Sequence, residues 1–167
     1  MLNINNIPWK QRILELFVDY ICILIYLLLL FSVNMGIYLG ILGQVPSFGE
    51  LQAHLIAIFA SVLPIIIIFS VLDYRKGSIG KRKAKLRVHY KNKSFKASLL
   101  RNTIKFLPWQ LAHIGVIHGM YSDFDLVSII FASAGMGLSL AMLIMGLARN
   151  DKRHLGDLLA GTQVQTR

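Results

Sequence analysis

The sequence predicts an all-α protein, a polytopic bundle of four transmembrane helices, and three observations lead there. Hydrophobic residues make up 55% of the 167 residues and charged residues only 16%, below the ~25% usual in soluble domains; mean hydropathy is +0.58. The apolar residues gather in four stretches, near 13–42, 51–72, 104–121 and 126–148, each close to the ~20 residues that cross ~30 Å of hydrocarbon. Every Lys and Arg falls in one of three blocks: Lys10 and Arg12, Arg75 to Lys105, and Arg149 to Arg167.

The first stretch opens as "QRILELFVDY" and then runs on without a charge to Leu42. It exceeds what a bilayer needs, so it tilts or ends early near Asn34. It is too long for a signal peptide and no small-residue cleavage site follows a short apolar core, so it reads as a retained helix. Arg12, Glu15 and Asp19 stand at i, i+3 and i+7, within about 60° of one another on a helix face. The second stretch is uniformly apolar. The third, "IKFLPWQLAHIGVIHGMY", holds Pro108, Gln110, His113 and His118 and reads as a transmembrane helix or, alternatively, as a bent or partly re-entrant segment. The fourth is uniformly apolar again. Cys22, the single cysteine, leaves no intrachain disulfide.

The cation blocks set orientation. The two loops without Lys or Arg, "GQVPSFGE" and "SDFD", hold only acids, so the positive-inside rule places both termini, the basic loop 75–103 and the tail 149–167 in the cytoplasm. The whole chain, 1–167, is then one membrane domain. The formal charge of +10 needs no nucleic acid: Arg75, Lys76, Arg82, Lys83 and Lys85 lie where anionic headgroups attract cations, and no aromatic-interleaved recognition pattern accompanies them.

Within the basic loop "KLRVHYKNKSFK" alternates Leu86, Val88 and Tyr90 with polar residues before a polar turn, and "GTQVQTR" at the end alternates Thr162, Val164 and Thr166. Both read as short strands that could pair in a small cytoplasmic sheet. Laid over each other, Ser78–Val88 and His154–Val164 match at Gly80 and Gly156, Ala84 and Ala160, and Val88 and Val164, while Lys81 meets Asp157. A helix pair plus this element, used twice in one orientation, makes two parallel repeats about an axis along the membrane normal.

These segments also resemble the RDD family of bacterial membrane proteins: an Arg and an Asp seven residues apart at the head of the first helix, "SIGKRKAKLRV" after the second, and a terminal Asp before "LLAGTQV". The family is named for one Arg and two Asp, which the resemblance carries onto Arg12, Asp19 and Asp157; Glu15 stands where a small residue such as Ala is usual. The resemblance implies a protein of the bacterial inner membrane. It also implies exchange of sodium, potassium or other monovalent cations for protons, which has been proposed for some members.

Two readings of the stripe follow. Asp19 is either an ion-pair lock with Arg12, Lys81 or Arg101, or, with Glu15 and Asp157, a proton or cation site whose carboxylate titrates near ambient pH. The second makes the protein antiporter-like. The alternative is a non-transporting accessory or scaffold that binds anionic lipid or a protein partner through its basic loop. His113 and His118 fall about 140° apart on a helix and cannot share a metal from one face. No cofactor or catalytic motif is present, so neither an enzyme nor a metal or cofactor is expected. Small residues recur every four positions at Ser32, Gly36 and Gly40, at Gly115 and Gly119, and at Ser133, Gly137 and Ala141. Such stripes bring helices together within one chain or between protomers, and a four-helix chain with a transport path points to a homo-oligomer.

Overall fold

The computed structural model describes residues 7–167. Helix α1 spans Trp9–Gly40, and a second long helical unit runs as α2 (Glu50–Ile56), a π-helical stretch Ala57–Val62, and α3 (Leu63–Arg75). A tight turn leads to the short α4 (Ile79–Lys83) and strand β1 (Leu86–Tyr90); α5 (Phe95–Ser122) and α6 (Leu126–Ala148) follow, then the short α7 (Leu155–Leu159) and β2 (Thr162–Thr166). The two strands pair antiparallel with Val88 opposite Val164, as the alternation in the sequence suggested.

Among the described residues three helices are long and apolar enough to cross a membrane: Trp9–Gly40, Glu50–Lys83 and Leu126–Ala148. The expected third span is one continuous helix, α5, with Pro108 inside it; its polar side chains keep it out of that group. It begins at Phe95 rather than near 104, because Ser94 caps it by accepting a hydrogen bond from the Ala97 backbone N–H. The expected loop 75–103 is therefore mostly ordered, holding α4, β1 and the first turns of α5.

Local chemistry explains the breaks. Pro64 cannot donate to the carbonyl four residues back and its ring crowds it, and that carbonyl, Ala60 O, instead accepts the Tyr26 hydroxyl at 2.6 Å; the adjoining turns widen into the π stretch. Gly77, at φ +88°, makes the reversal from α3 into α4. Asp125 caps α6 by accepting from Ser128 N at 2.9 Å.

Helix α5 is the spine, packed along α6 and against α3 and α7. Its contact with α6 is close because both helices present glycine: a Cβ on Gly115 would strike the Ala132 N and Ser128 O backbone, and one on Gly135 would lie 2.7 Å from both Ala112 N and Pro108 O. Of the stripes picked out in the sequence, Gly115 packs in this way, whereas a Cβ on Gly36, Gly40 or Gly137 would meet nothing within 4 Å. Gly135, midway between Ser133 and Gly137 and so off the third stripe's face, is the working contact. Gly135→Val should lower stability by about 1–3 kcal/mol, the usual cost of overpacking, and Gly36→Val by much less. Thermal unfolding of the two variants in one detergent checks the ranking.

Candidate functional site: a buried charge cluster

At the end of the bundle where α1 begins, α3 ends and α5 begins, ionisable side chains are buried together. On α1 the buried residues are Arg12, Glu15, Asp19 and Ile23, the face that the helical spacing required. They meet Asp73 from the end of α3, Lys81 from α4, Arg101 and Asn102 from α5, and Asp157 from α7, all buried.

The contacts form a continuous chain. Arg12 Nη1 lies 2.7 Å from Glu15 Oε2 and Arg12 Nη2 donates to the Lys152 carbonyl at 3.0 Å. Lys81 Nζ bridges Glu15 Oε1 and Asp73 Oδ1, each at 3.1 Å. Arg101 Nη1 reaches Asp73 Oδ2 at 2.5 Å and its Nε reaches Asp157 Oδ1 at 2.7 Å. Thr162 donates its hydroxyl to the same Asp157 oxygen at 2.7 Å. Below this, Ser98 donates to the Ser70 carbonyl, locking α3 to α5.

Asp19 is held differently from either expected pairing. Its carboxylate accepts the Ser78 hydroxyl at 2.6 Å and the Gly80 backbone N–H at 2.7 Å, so it binds the first turn of α4. Only glycine fits at position 80, since a Cβ there would strike the Glu15 carbonyl oxygen and the Asp19 carboxylate. The three cations proposed as its partners go elsewhere: Arg12 to Glu15, Lys81 to Glu15 and Asp73, and Arg101 to Asp73 and Asp157. Glu15, on the same face of α1, is neutralised from both sides by Arg12 and Lys81. Asp157 joins the same cluster but answers Arg101 from the opposite side to Asp73. Exposed around it stand Arg75, Lys76, Arg82, Lys83 and Lys85.

Four participants escaped the sequence reading. Asp73 follows the last apolar residue of its stretch and reads as a loop acid, although an acid beside a block of cations is itself a signal. Ser78 and Asn102 carried none. Lys105 sits with its ammonium 4.7 Å above the Phe69 ring and 5.2 Å from that of Phe106, a cation–π arrangement. With it the cluster holds four cations, Arg12, Lys81, Arg101 and Lys105, against four carboxylates, Glu15, Asp19, Asp73 and Asp157. The excess of acids on α1 alone is thereby cancelled.

The RDD family model matches residues 8–161. The chain belongs to the RDD family. No curated protein and no solved structure matches it. The Arg and two Asp for which the RDD family is named thus fall, in this member, within one cluster: Arg12 against Glu15, Asp19 on the α4 turn, and Asp157 on Arg101. At the far end of the bundle His118 lies with Nδ1 2.6 Å from Glu50 Oε1 and Nε2 3.4 Å from Asp125 Oδ2, while His113 Nε2 accepts from Trp109 Nε1 at 3.2 Å.

His154, just before α7, borders the cluster. Its Nε2 stands 3.2 Å from Asp157 Oδ2 and 3.3 Å from Arg101 Nη2; one tautomer serves only one of them. Among the described residues Asp157 Oδ2 has no other hydrogen-bond partner, so the assignment that satisfies the buried carboxylate puts the proton on Nε2. Burial pushes the His154 imidazole down to about 3, and the Arg101, Lys105 and Arg12 cations add to that against the pull of Asp157. Burial by itself would raise the Asp157 carboxyl, but Arg101 first and His154 next hold it well below the ordinary carboxylate range.

Two outcomes follow. Asp157→Asn leaves Arg101 half-compensated in a dry site and should cost about 3–5 kcal/mol, whereas Asp151→Asn, in a half-exposed pair with Arg149, should barely shift unfolding. Both shifted groups bind protons more readily when unfolded, so stability is full above pH ~6.5 and falls on acidification. From the ordinary 6.5 down to about 3 the His154 share reaches about 1.4 kcal/mol per pH unit. His154→Gln should flatten the pH dependence of the unfolding temperature in that window.

Proposed function

We propose that this RDD-family protein is a non-transporting component of the bacterial inner membrane, whose buried charges lock the end of the bundle and whose free cations bind anionic lipid or an acidic partner. The supporting observation is saturation of the buried acids. Glu15, Asp73 and Asp157 each contact a cation, and Asp19 holds a hydroxyl and a backbone N–H. A coupling carboxylate must release and regain a proton at working pH, and an acid with a fixed donor on it resists both steps.

Four spans with both termini in the cytoplasm complete the proposal. The start of α1, the end of α3, the start of α5 and the residues after α6 meet at one place through Arg12, Asp73, Arg101 and Lys152, which supports four alternating crossings including α5. The open faces at Gly36, Gly40 and Gly137 support a homo-oligomer joined there. Two parallel repeats are supported by element order: α4 and β1 begin at residues 79 and 86, α7 and β2 at 155 and 162, one constant displacement. Gly80 abuts the Glu15 carbonyl on α1, and Gly156 the Arg101 carbonyl on α5.

One observation favours exchange of a monovalent cation for a proton. Lys81 Nζ stands among oxygens of Glu15 and Asp73 at 3.1 Å and Ser78 Oγ at 3.3 Å, a shell that sodium or potassium could occupy if the ammonium gave its proton to water and withdrew, one charge replacing one. Proteoliposomes decide between the readings. Adding sodium or potassium should collapse an imposed pH gradient no faster than in empty liposomes; a collapse that Glu15→Gln and Lys81→Met both remove, with folded protein retained, would establish exchange. For topology, cysteines at Ser47 and Ser122 should react with an impermeant thiol reagent outside intact cells, and one at Ser94 should not.

A further inference from the structure

A cavity of about 670 Å³ opens between the end of α3 and strand β1. Its lining includes Arg75, Lys76, Arg87, Lys93, Arg167 and His89. Among the described residues none of these five cations meets a carboxylate within ion-pair distance. The one carboxylate side chain in the wall is Asp73, already taken by Lys81 and Arg101.

Two tyrosines complete the wall. Tyr74 lies beneath the Lys93 ammonium at 5.3 Å. Tyr90 is 9% exposed, and its hydroxyl is withdrawn from solvent beside Ser98. Cations without a carboxylate partner around a cavity call for a ligand that carries negative charge. Arg75, Arg87 and Arg167 supply planar forks, the geometry that matches phosphate oxygens.

We propose that this cavity binds a phosphate-bearing anion, either the headgroup of an anionic phospholipid or a soluble diphosphate. The inference rests on the reading of the basic face as a binding face, and names its ligand chemistry and its pocket. The cavity lies beside the last turn of α3 and Gly77, at the level where the buried cluster closes the bundle, so a headgroup entering from the bilayer surface and a solute entering from water both reach it. The arginines donate to the phosphate oxygens and neutralise the charge.

The test is calorimetric titration of the full-length protein in neutral detergent micelles at low ionic strength. The probes are inorganic diphosphate, a short-chain phosphatidylglycerol and a short-chain phosphatidylcholine. Saturable one-to-one binding of diphosphate, of phosphatidylglycerol or of both, without binding of phosphatidylcholine, is expected; which probe binds identifies the source. Arg87→Gln with Lys93→Gln should weaken that binding at least about tenfold, with thermal unfolding unchanged. Arg82→Gln with Lys83→Gln, exposed cations outside the wall, should leave the affinity intact. Absence of saturable binding to any anionic probe overturns the proposal. Equal loss in the two double variants overturns the cavity while leaving the basic face as a binding face, and cation-driven proton flux in liposomes would remove the non-transporting reading without touching this result.

Discussion

A charge withdrawn from water has to meet an opposite charge or a donor aimed at it, and in this molecule the constraint converges on Arg101. Its guanidinium takes Asp73 from α3 on one side and Asp157 from α7 on the other, tying elements from opposite ends of the chain to the spine helix. Lys81 extends the chain from Asp73 to Glu15, and Asp19 fastens the α4 turn to α1. Desolvating any member alone costs several kcal/mol, so the cluster holds together as a set or is lost as one. The packing of α1, α3, α5 and α7 at this end is the geometry that keeps every member paired.

The same physical device is used on both short helices. Each carries as its second residue a glycine pressed against the backbone of a long helix, Gly80 on α1 and Gly156 on α5, which brings the first turn near a side chain of that helix. The charge is inverted between them, Lys81 on α4 and Asp157 on α7. Inversion lets the two elements share one cluster without like charges facing each other. Strands β1 and β2 then close the end through Leu86 and Val164, both fully buried.

The remaining cations divide the molecule's charge into two kinds. Those inside the cluster balance its carboxylates and contribute nothing to the net charge of +10. Those outside, along the end of α3, on α4 and on β1, face outward or line the cavity. An uncompensated surface beside a locked interior is the arrangement on which the proposed anion site draws.

What the sequence by itself determined is what depends on neighbours along the chain. Apolar length marked the membrane-type helices, and the i, i+3, i+7 spacing put Arg12, Glu15 and Asp19 on one buried face; strict alternation marked both strands, and their pairing brings Val88 to Val164. The family motif was readable for the same reason, being three short local patterns. The partners were not. Arg101 reaches Asp73 across 28 residues and Asp157 across 56, and only the packing of α3 and α7 on α5 chooses those acids from the eight in the chain. Asp19 read as an acid in need of a cation or a proton because the donors that satisfy it, Ser78 Oγ and Gly80 N, carry no formal charge and belong to the first turn of another helix. Spacing along one helix determines which side chains are buried; the approach of other helices decides what each of them meets there.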